Sequence, residues 1–143
     1  MSNEHEAIRR LSHDYADAVI SRDPDVWGAL WTDDAVWVLG PGREVHGRAA
    51  IVELWLKALG AYTTVVQLYQ SSESTIDGDA AHGRAYLVEL VEQADGARRT
   101  MVGYYQDTYR RTSERWLFAS RELTVLYRGA TDLSGPLLGA PAS

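Results

Sequence analysis

Cysteine is absent from the 143 residues, which excludes disulfides, thiolate chemistry and cysteine-ligated zinc. The 14 lysines and arginines form no long basic run, and the net charge is −6. Both features argue against nucleic acid and against an anionic membrane surface as partners. No apolar run approaches the length of a membrane span, and the segment Met1 to His5 lacks the basic-then-apolar order of a secretion signal. A cytoplasmic protein is expected. Phenylalanine is scarce as well, with one Phe against five Trp and eight Tyr. Trp and Tyr join an apolar body to a polar handle, so they suit walls that are part core and part binding site, or simply an aromatic-rich core.

What is present reads as one domain over residues 1–129, followed by a Gly-, Pro- and Ala-rich tail over 130–143 that is loose or draped over the sheet. Ile8, Leu11, Tyr15, Ala18 and Val19 recur at helical spacing, which predicts a first helix starting near Ser2 and running to about Ser21. Asp23 and Pro24 supply a cap and a first helical residue for a short second helix through Trp27, Leu30 and Trp31. Thr32-Asp33-Asp34 is expected to break it, with a strand over Ala35 to Leu39. A third helix starts at Gly47 and stops at Gly60. Four β-stretches follow, Thr63 to Ile76, Ala80 to Gln93, Arg98 to Arg110 and Trp116 to Tyr127, punctuated by Asp77-Gly78-Asp79, Asp95-Gly96 and Thr112-Ser113-Glu114. The fold class is therefore α+β, with helices on one face of a curled antiparallel sheet and a pocket in the hollow between.

Several segments resemble the SnoaL-like family of the nuclear-transport-factor-2-like superfamily. They are Tyr15 and Ala18, Asp23-Pro24-Asp25-Val26-Trp27, Leu30-Trp31-Thr32-Asp33-Asp34-Ala35, His46-Gly47-Arg48-Ala49-Ala50-Ile51, Ile76-Asp77-Gly78-Asp79-Ala80 and Tyr105-Gln106-Asp107-Thr108-Tyr109-Arg110, with Trp116 and Arg121. The resemblance extends to Arg128 and implies a cone-shaped fold of three N-terminal helices on a curved sheet. It also implies a homodimer formed through the outer sheet face. Members include polyketide cyclases, dehydratases, a dehydrochlorinase, ketosteroid isomerases and dioxygenase β subunits, so the pocket residues must decide the function.

Tyr15 lies on the apolar stripe, where its phenol either donates to a substrate oxygen, as the resemblance implies, or bonds a backbone carbonyl. With Thr112-Ser113-Glu114 as the loop, Tyr109 is expected opposite Leu117, Asp107 opposite Ala119 and Tyr105 opposite Arg121. Asp107 and Arg121 then share an apolar face as diagonal neighbours and should pair, either structurally or as part of a site. By resemblance Asp107 matches the oxyanion-hole aspartate of ketosteroid isomerases, but Arg121 beside it would hold it ionised. The position of the isomerase base falls on Leu39. Glu89 is a lone carboxylate among Ala85, Leu87 and Val91 on alternate positions. A two-residue Asp95-Gly96 turn puts it on the face opposite Asp107, and a three-residue loop puts the two together. Burial frequencies favour the exposed face.

Asp23 matches the aspartate that orients a catalytic histidine in the dehydrochlorinase, yet Gln67 stands near the place of that histidine. Gln takes no proton near neutral pH, so an Asp–His dyad is excluded there. Gln67 can still orient a ligand, and Asp23 also serves as a helix cap. The four histidines show no ligand spacing, so no metal and no cofactor are expected. The resulting expectation is cofactor-free proton transfer (dehydration, isomerisation or cyclisation) on a small apolar molecule bearing a carbonyl or hydroxyl. Tyr15, Asp107, Glu89 and Arg121 form the candidate catalytic set, with Asp23, Trp31, Trp37, Gln67, Tyr69 and Tyr105 against the ligand. The alternative is a non-catalytic ligand-binding or accessory module.

Overall fold

The computed structural model describes residues 3–113, 115–130, 132, 134–136 and 138, with the backbone alone for 71–73. Ser2, the expected helix start, lies outside these residues, as does Glu114 of the last hairpin loop and much of the tail. Helix α1 spans Glu4–Ser21 and buries the anticipated stripe, Ile8, Leu11, Tyr15, Ala18 and Val19, with Ser12. Arg22 ends it in the left-handed conformation (φ 60°). The Arg22 guanidinium donates to the carbonyls of Leu59 and Tyr62, the latter at 3.0 Å. It thereby satisfies the open C-terminal end of α3 (Arg48–Leu59), where a cation is also favoured by the helix dipole. Asp23 caps α2 (Pro24–Gly28), its Oδ1 accepting from the amides of Asp25 at 3.0 Å and Val26 at 3.2 Å.

The second helix is shorter than its apolar spacing suggests. Trp31 belongs to strand β1 (Trp31–Val38), and Thr32-Asp33-Asp34 lies within that strand instead of breaking a helix. The reason is long-range pairing: Trp31 aligns with Phe118, and the Phe118 amide donates to the Leu30 carbonyl at 2.8 Å. A short strand β2 (Glu44–His46), not evident in the sequence, returns antiparallel to β1. Strands β3 (Tyr62–Asp77), β4 (Ala80–Gln93), β5 (Arg98–Arg111) and β6 (Trp116–Gly129) lie close to the four expected stretches.

The strands form one sheet in the order β2-β1-β6-β5-β4-β3. It is curved, unclosed and mixed, not purely antiparallel, because β1 runs parallel to β6. The parallel pairing is possible because β2, α3 and strands β3 to β5 intervene between the two strands, and parallel neighbours need a long connection.

The core between helices and sheet is aromatic. Trp27 stacks face to face on Trp55, with centroids 4.3 Å apart and planes at 3°. Trp31, Trp37, Tyr15 and Phe118 join it in tilted and edge-on contacts. Edge-on and tilted arrangements like those of the other rings are preferred by ring quadrupoles.

Two bulges set the register of β6 against β5. Tyr109 faces Phe118 but Thr108 faces Ser120, leaving Ala119 extra, and a second shift falls between Val102 and Gly103. At the second, a Cβ on Gly103 would overlap the Thr124 carbonyl oxygen. Gly103→Ala is accordingly expected to cost roughly 1–3 kcal/mol, the usual range for overpacking, measurable as a lower midpoint in urea denaturation.

Candidate functional site

Two one-residue shifts correct the expected register: the last hairpin pairs Arg111 with Trp116, one residue further along than expected, and the bulge at Ala119 adds the second. Asp107 aligns with Arg121, not Ala119; Tyr105 aligns with Leu123, not Arg121; and Tyr109 aligns with Phe118, not Leu117. Asp107 and Arg121 are thus direct cross-strand partners and not diagonal ones. Their pairing is bidentate, with Arg121 Nε to Asp107 Oδ1 at 2.7 Å and Nη2 to Oδ2 at 3.1 Å. Both are wholly buried, at 0% exposure. Tyr109 donates a third bond to Asp107 Oδ2 at 3.1 Å. Burial pushes the Asp107 carboxyl upward, opposed by the Arg121 guanidinium and the Tyr109 hydroxyl. The guanidinium carbon sits 4.0 Å from the Tyr105 ring centroid, 4.2 Å from Phe118 and 4.6 Å from Tyr15. A desolvated cation is favoured over such ring faces.

The β4–β5 hairpin settles the face of Glu89. Gln93 N donates to Ala97 O at 2.8 Å, closing a three-residue loop of Ala94, Asp95 and Gly96, with Gly96 at φ 86°. Only glycine adopts that angle without strain. The loop places Glu89 opposite Met101 and on the Asp107 face, overturning the exposed placement that base rates favoured. Gln67 is its partner on β3 and donates from Nε2 to Glu89 Oε2 at 2.6 Å. Tyr69 donates to Gln67 Oε1 at 2.9 Å and meets Arg121 Nη1 at 3.5 Å. One chain of polar contacts therefore runs from Asp107 through Arg121, Tyr69 and Gln67 to Glu89.

Glu89 faces a cavity of about 210 Å³ between α1, α3 and the sheet. Tyr15, Trp37, Gln67 and Tyr105 share its wall with apolar side chains such as Val65 and Met101. Burial raises the Glu89 carboxyl above its ordinary range, against the opposing pull of Gln67 and Arg128. Trp37 Nε1 donates to the Tyr105 hydroxyl at 3.2 Å, and the nearby Tyr15 and Tyr105 hydroxyls influence one another electrostatically. Burial drives both phenols upward overall, so both remain protonated at neutral pH. Among the described residues no side chain or carbonyl accepts a hydrogen bond from the Tyr105 hydroxyl, which borders the cavity.

The structure thus brings Tyr15, Trp37, Gln67, Glu89 and Tyr105 to one cavity. Asp107 and Arg121 lie behind its wall, Trp31 is core, Tyr69 forms part of the polar chain, and Asp23 is at the α2 cap, away from the cavity. Arg43 and Arg128, which sequence reading passed over, also line it. Arg43 follows a Gly-Pro-Gly turn and Arg128 ends the last strand, so neither sits in a pattern that marks a site. Among the described residues no His, Asp and Glu group suits a metal ion, and no helix is long and apolar enough to cross a membrane.

Two outcomes follow. Arg121→Met should destabilise by about 3–5 kcal/mol by stranding a buried carboxylate. Asp107→Leu combined with Arg121→Met should cost less than the sum of the single changes in a denaturation double-mutant cycle. Glu89 has its folded pKa raised, so the folded chain holds that proton more tightly than the unfolded one. Stability then falls as pH rises from the ordinary carboxyl range through the raised value. Glu89→Gln, which keeps an acceptor for Gln67, should remove that slope and melt at or above the wild-type temperature at pH 7, with the difference vanishing near pH 4.

Solved structures share this architecture. A protein provisionally assigned as an aromatic ring hydroxylase from Novosphingobium aromaticivorans is 28% identical, over 90% of this chain and 94% of that one, with a TM-score of 0.83. A provisionally assigned scytalone dehydratase from the same organism is 20% identical over 94% and 89% of the two chains, with a TM-score of 0.81. A hexachlorocyclohexane dehydrochlorinase from Novosphingobium barchaimii LL02 is 19% identical over 95% and 94%, with a TM-score of 0.79. No curated protein matches the chain. The fold is nuclear-transport-factor-2-like, and the SnoaL-like domain profile matches residues 1–122, so this chain belongs to the SnoaL-like domain family.

Proposed function

We propose that this protein is a cofactor-free proton-transfer enzyme, a lyase or isomerase acting on a small, largely apolar molecule that bears a carbonyl or hydroxyl group. The observation that carries the reading is one partly buried carboxylate, Glu89, facing the same apolar cavity as the Tyr105 hydroxyl. Glu89 is the proton carrier, oriented by the Gln67 amide at 2.6 Å. Tyr105 is the oxygen-polarising donor. Its oxygen accepts from Trp37, which strengthens its own O–H as a donor. Tyr15, expected to touch substrate oxygen itself, acts here through Tyr105. Asp107 and Arg121 hold the floor of the site without exchanging protons.

In this scheme a substrate carbonyl accepts from Tyr105 while ionised Glu89 removes a proton from the adjacent carbon. The electron pair of the broken C–H bond moves to the oxygen, where the Tyr105 hydrogen bond stabilises it. Isomerisation returns the proton from Glu89 to another carbon. Dehydration passes it to a departing hydroxyl, which leaves as water. Both routes need the same two groups, and neither needs an external oxidant.

A second reading is a non-catalytic ligand-binding or accessory module. It is favoured by the sealed Asp107–Arg121 pair and by Gln67 where relatives are expected to carry histidine. In either case the outer sheet face, with Leu68, Tyr86 and Leu126 exposed, is proposed to pair with a second copy of the chain. Elution at the 15.9 kDa monomer mass in size-exclusion chromatography would rule that out.

The discriminating assay is exchange of α-protons of small cyclic ketones in deuterated water, followed by NMR. Wild-type protein should catalyse exchange for at least one ketone, with a rate that rises with pH through the raised carboxyl value of Glu89. Glu89→Gln should lower it by about 10²–10⁴, the usual worth of a general base, and Tyr105→Phe by roughly 10²–10³. Exchange unaffected by Glu89→Gln would remove the carboxylate from the mechanism. Ligand binding without exchange for any ketone would favour the second reading.

A further inference from the structure

Beside the inner cavity lies a larger outer hollow of about 690 Å³, bordered by the Gly40–Pro41–Gly42 turn and by β6. Four residues line both spaces, Leu39, Arg43, Leu123 and Arg128, and so stand at the boundary, or neck, between them. Two of the four are arginines, on a chain whose 20 acidic residues outnumber its 14 lysines and arginines. Arg9, Arg48, Arg98, Arg110, Arg111, Arg115 and Arg121 take an acidic partner, whereas Arg10, Arg22 and Arg99, away from both spaces, show none among the described residues. Arg43 and Arg128 take none within ion-pair distance among the described residues, and no hydrogen bond from either guanidinium is found there. Both heads are exposed at the neck.

Other charges limit where an anion can rest. Glu44 and Glu122 line the outer hollow, and Glu89 lies in the inner cavity. Glu44 already faces His46 at 3.7 Å. A negative group is repelled from the inner end by Glu89 and from the outer rim by Glu44 and Glu122. The neck between the two guanidiniums is where it is attracted, and low-dielectric walls focus that field. Guanidinium groups suit this purpose, because their planar forks bind a carboxylate with two parallel hydrogen bonds. The inner cavity of about 210 Å³ is smaller than the roughly 300–1,000 Å³ of pockets for drug-sized ligands. It accommodates a ring system and little more, and its walls are largely apolar.

We infer that the ligand of this site is an organic acid, an apolar ring body seated in the inner cavity with an ionised carboxylate held at the neck by Arg43 and Arg128. This rests on the cavity being the substrate site and gives the substrate an orientation. The ring carbons lie inward beside Glu89 and Tyr105, and the acid group stays outside, away from the proton carrier.

Calorimetric titration with 2-naphthylacetate, its neutral amide and 2-naphthyl phosphate tests the assignment. At low ionic strength the acid should bind at least about tenfold more tightly than the amide, and added salt should weaken the acid alone. Arg43→Gln and Arg128→Gln should each reduce the preference, and the double variant should bring acid and amide to the same affinity, the acid losing far more than the amide. Both side chains are exposed, so the variants should keep the wild-type circular dichroism and melting temperature. Equal binding of acid and amide, a preference that survives in the double variant, or no binding of the acid at millimolar concentration would overturn the inference. Tighter binding of the phosphate than of the carboxylate would overturn the carboxylate assignment. Glu89→Gln separates this from the enzymatic reading: the acid should bind that variant at least as tightly, even though proton exchange is lost. Arginine-dependent acid binding without any exchange in wild-type protein would leave this inference standing and remove the enzyme.

Discussion

A guanidinium and a carboxylate sealed from water must satisfy one another almost completely, or the fold pays the desolvation of each. Asp107 and Arg121 meet that condition with two charge-assisted bonds, a third from Tyr109, and a cage of aromatic faces around the cation. Much of the remaining structure can be traced from this pair. It joins the two central strands, β5 and β6, across their shared inner face. The rings that enclose Arg121 are the ones on which α1 and β1 pack. Tyr15 brings the first helix to the cation, and Phe118 brings the start of the parallel strand.

The same pair separates structural charge from chemical charge. Because Arg121 and Tyr109 occupy both oxygens of Asp107, that carboxylate has no face toward a ligand. The polar chain continues outward through Tyr69 and Gln67 and ends at Glu89, which borders the cavity. A buried scaffold of fixed hydrogen bonds thus orients one titratable group at the edge of an apolar space. This arrangement supports the proton-transfer reading more strongly than fold does, since the family hosts many chemistries and structural likeness at this level of identity speaks for architecture alone.

Gln67 gives this site its own character. At a position where the resemblance leads one to expect histidine, an amide that cannot titrate holds a carboxylate that can. The proton carrier is accordingly proposed on β4 and not on β3. The arginines at the neck follow the same logic of charge placed by position, since they stand between Glu89 on the inner side and Glu44 and Glu122 on the outer.

Local chemistry in the sequence was enough to place the long elements. The helical stripe from Ile8 to Val19, the Asp23-Pro24 start of the second helix, Gly60 and the four β-stretches all sit within a few residues of their observed positions, because each depends on neighbours close in the chain. The inward position of Tyr15 and the pairing of Asp107 with Arg121 were legible too, since an apolar face tolerates charge only in pairs. The tertiary structure alone decided the rest. Trp31 became strand because β6 lies beside it, and β2 formed only because β1 offered an edge. One residue more in the last hairpin and an extra residue at Ala119 together shifted the partner of Asp107, and a three-residue loop instead of two turned Glu89 inward. Side-chain facing in a sheet alternates with a period of two, so one residue more or less in a bulge or a turn reverses it. No reading of adjacent residues carries that information; it is set by how the whole sheet closes on its helices.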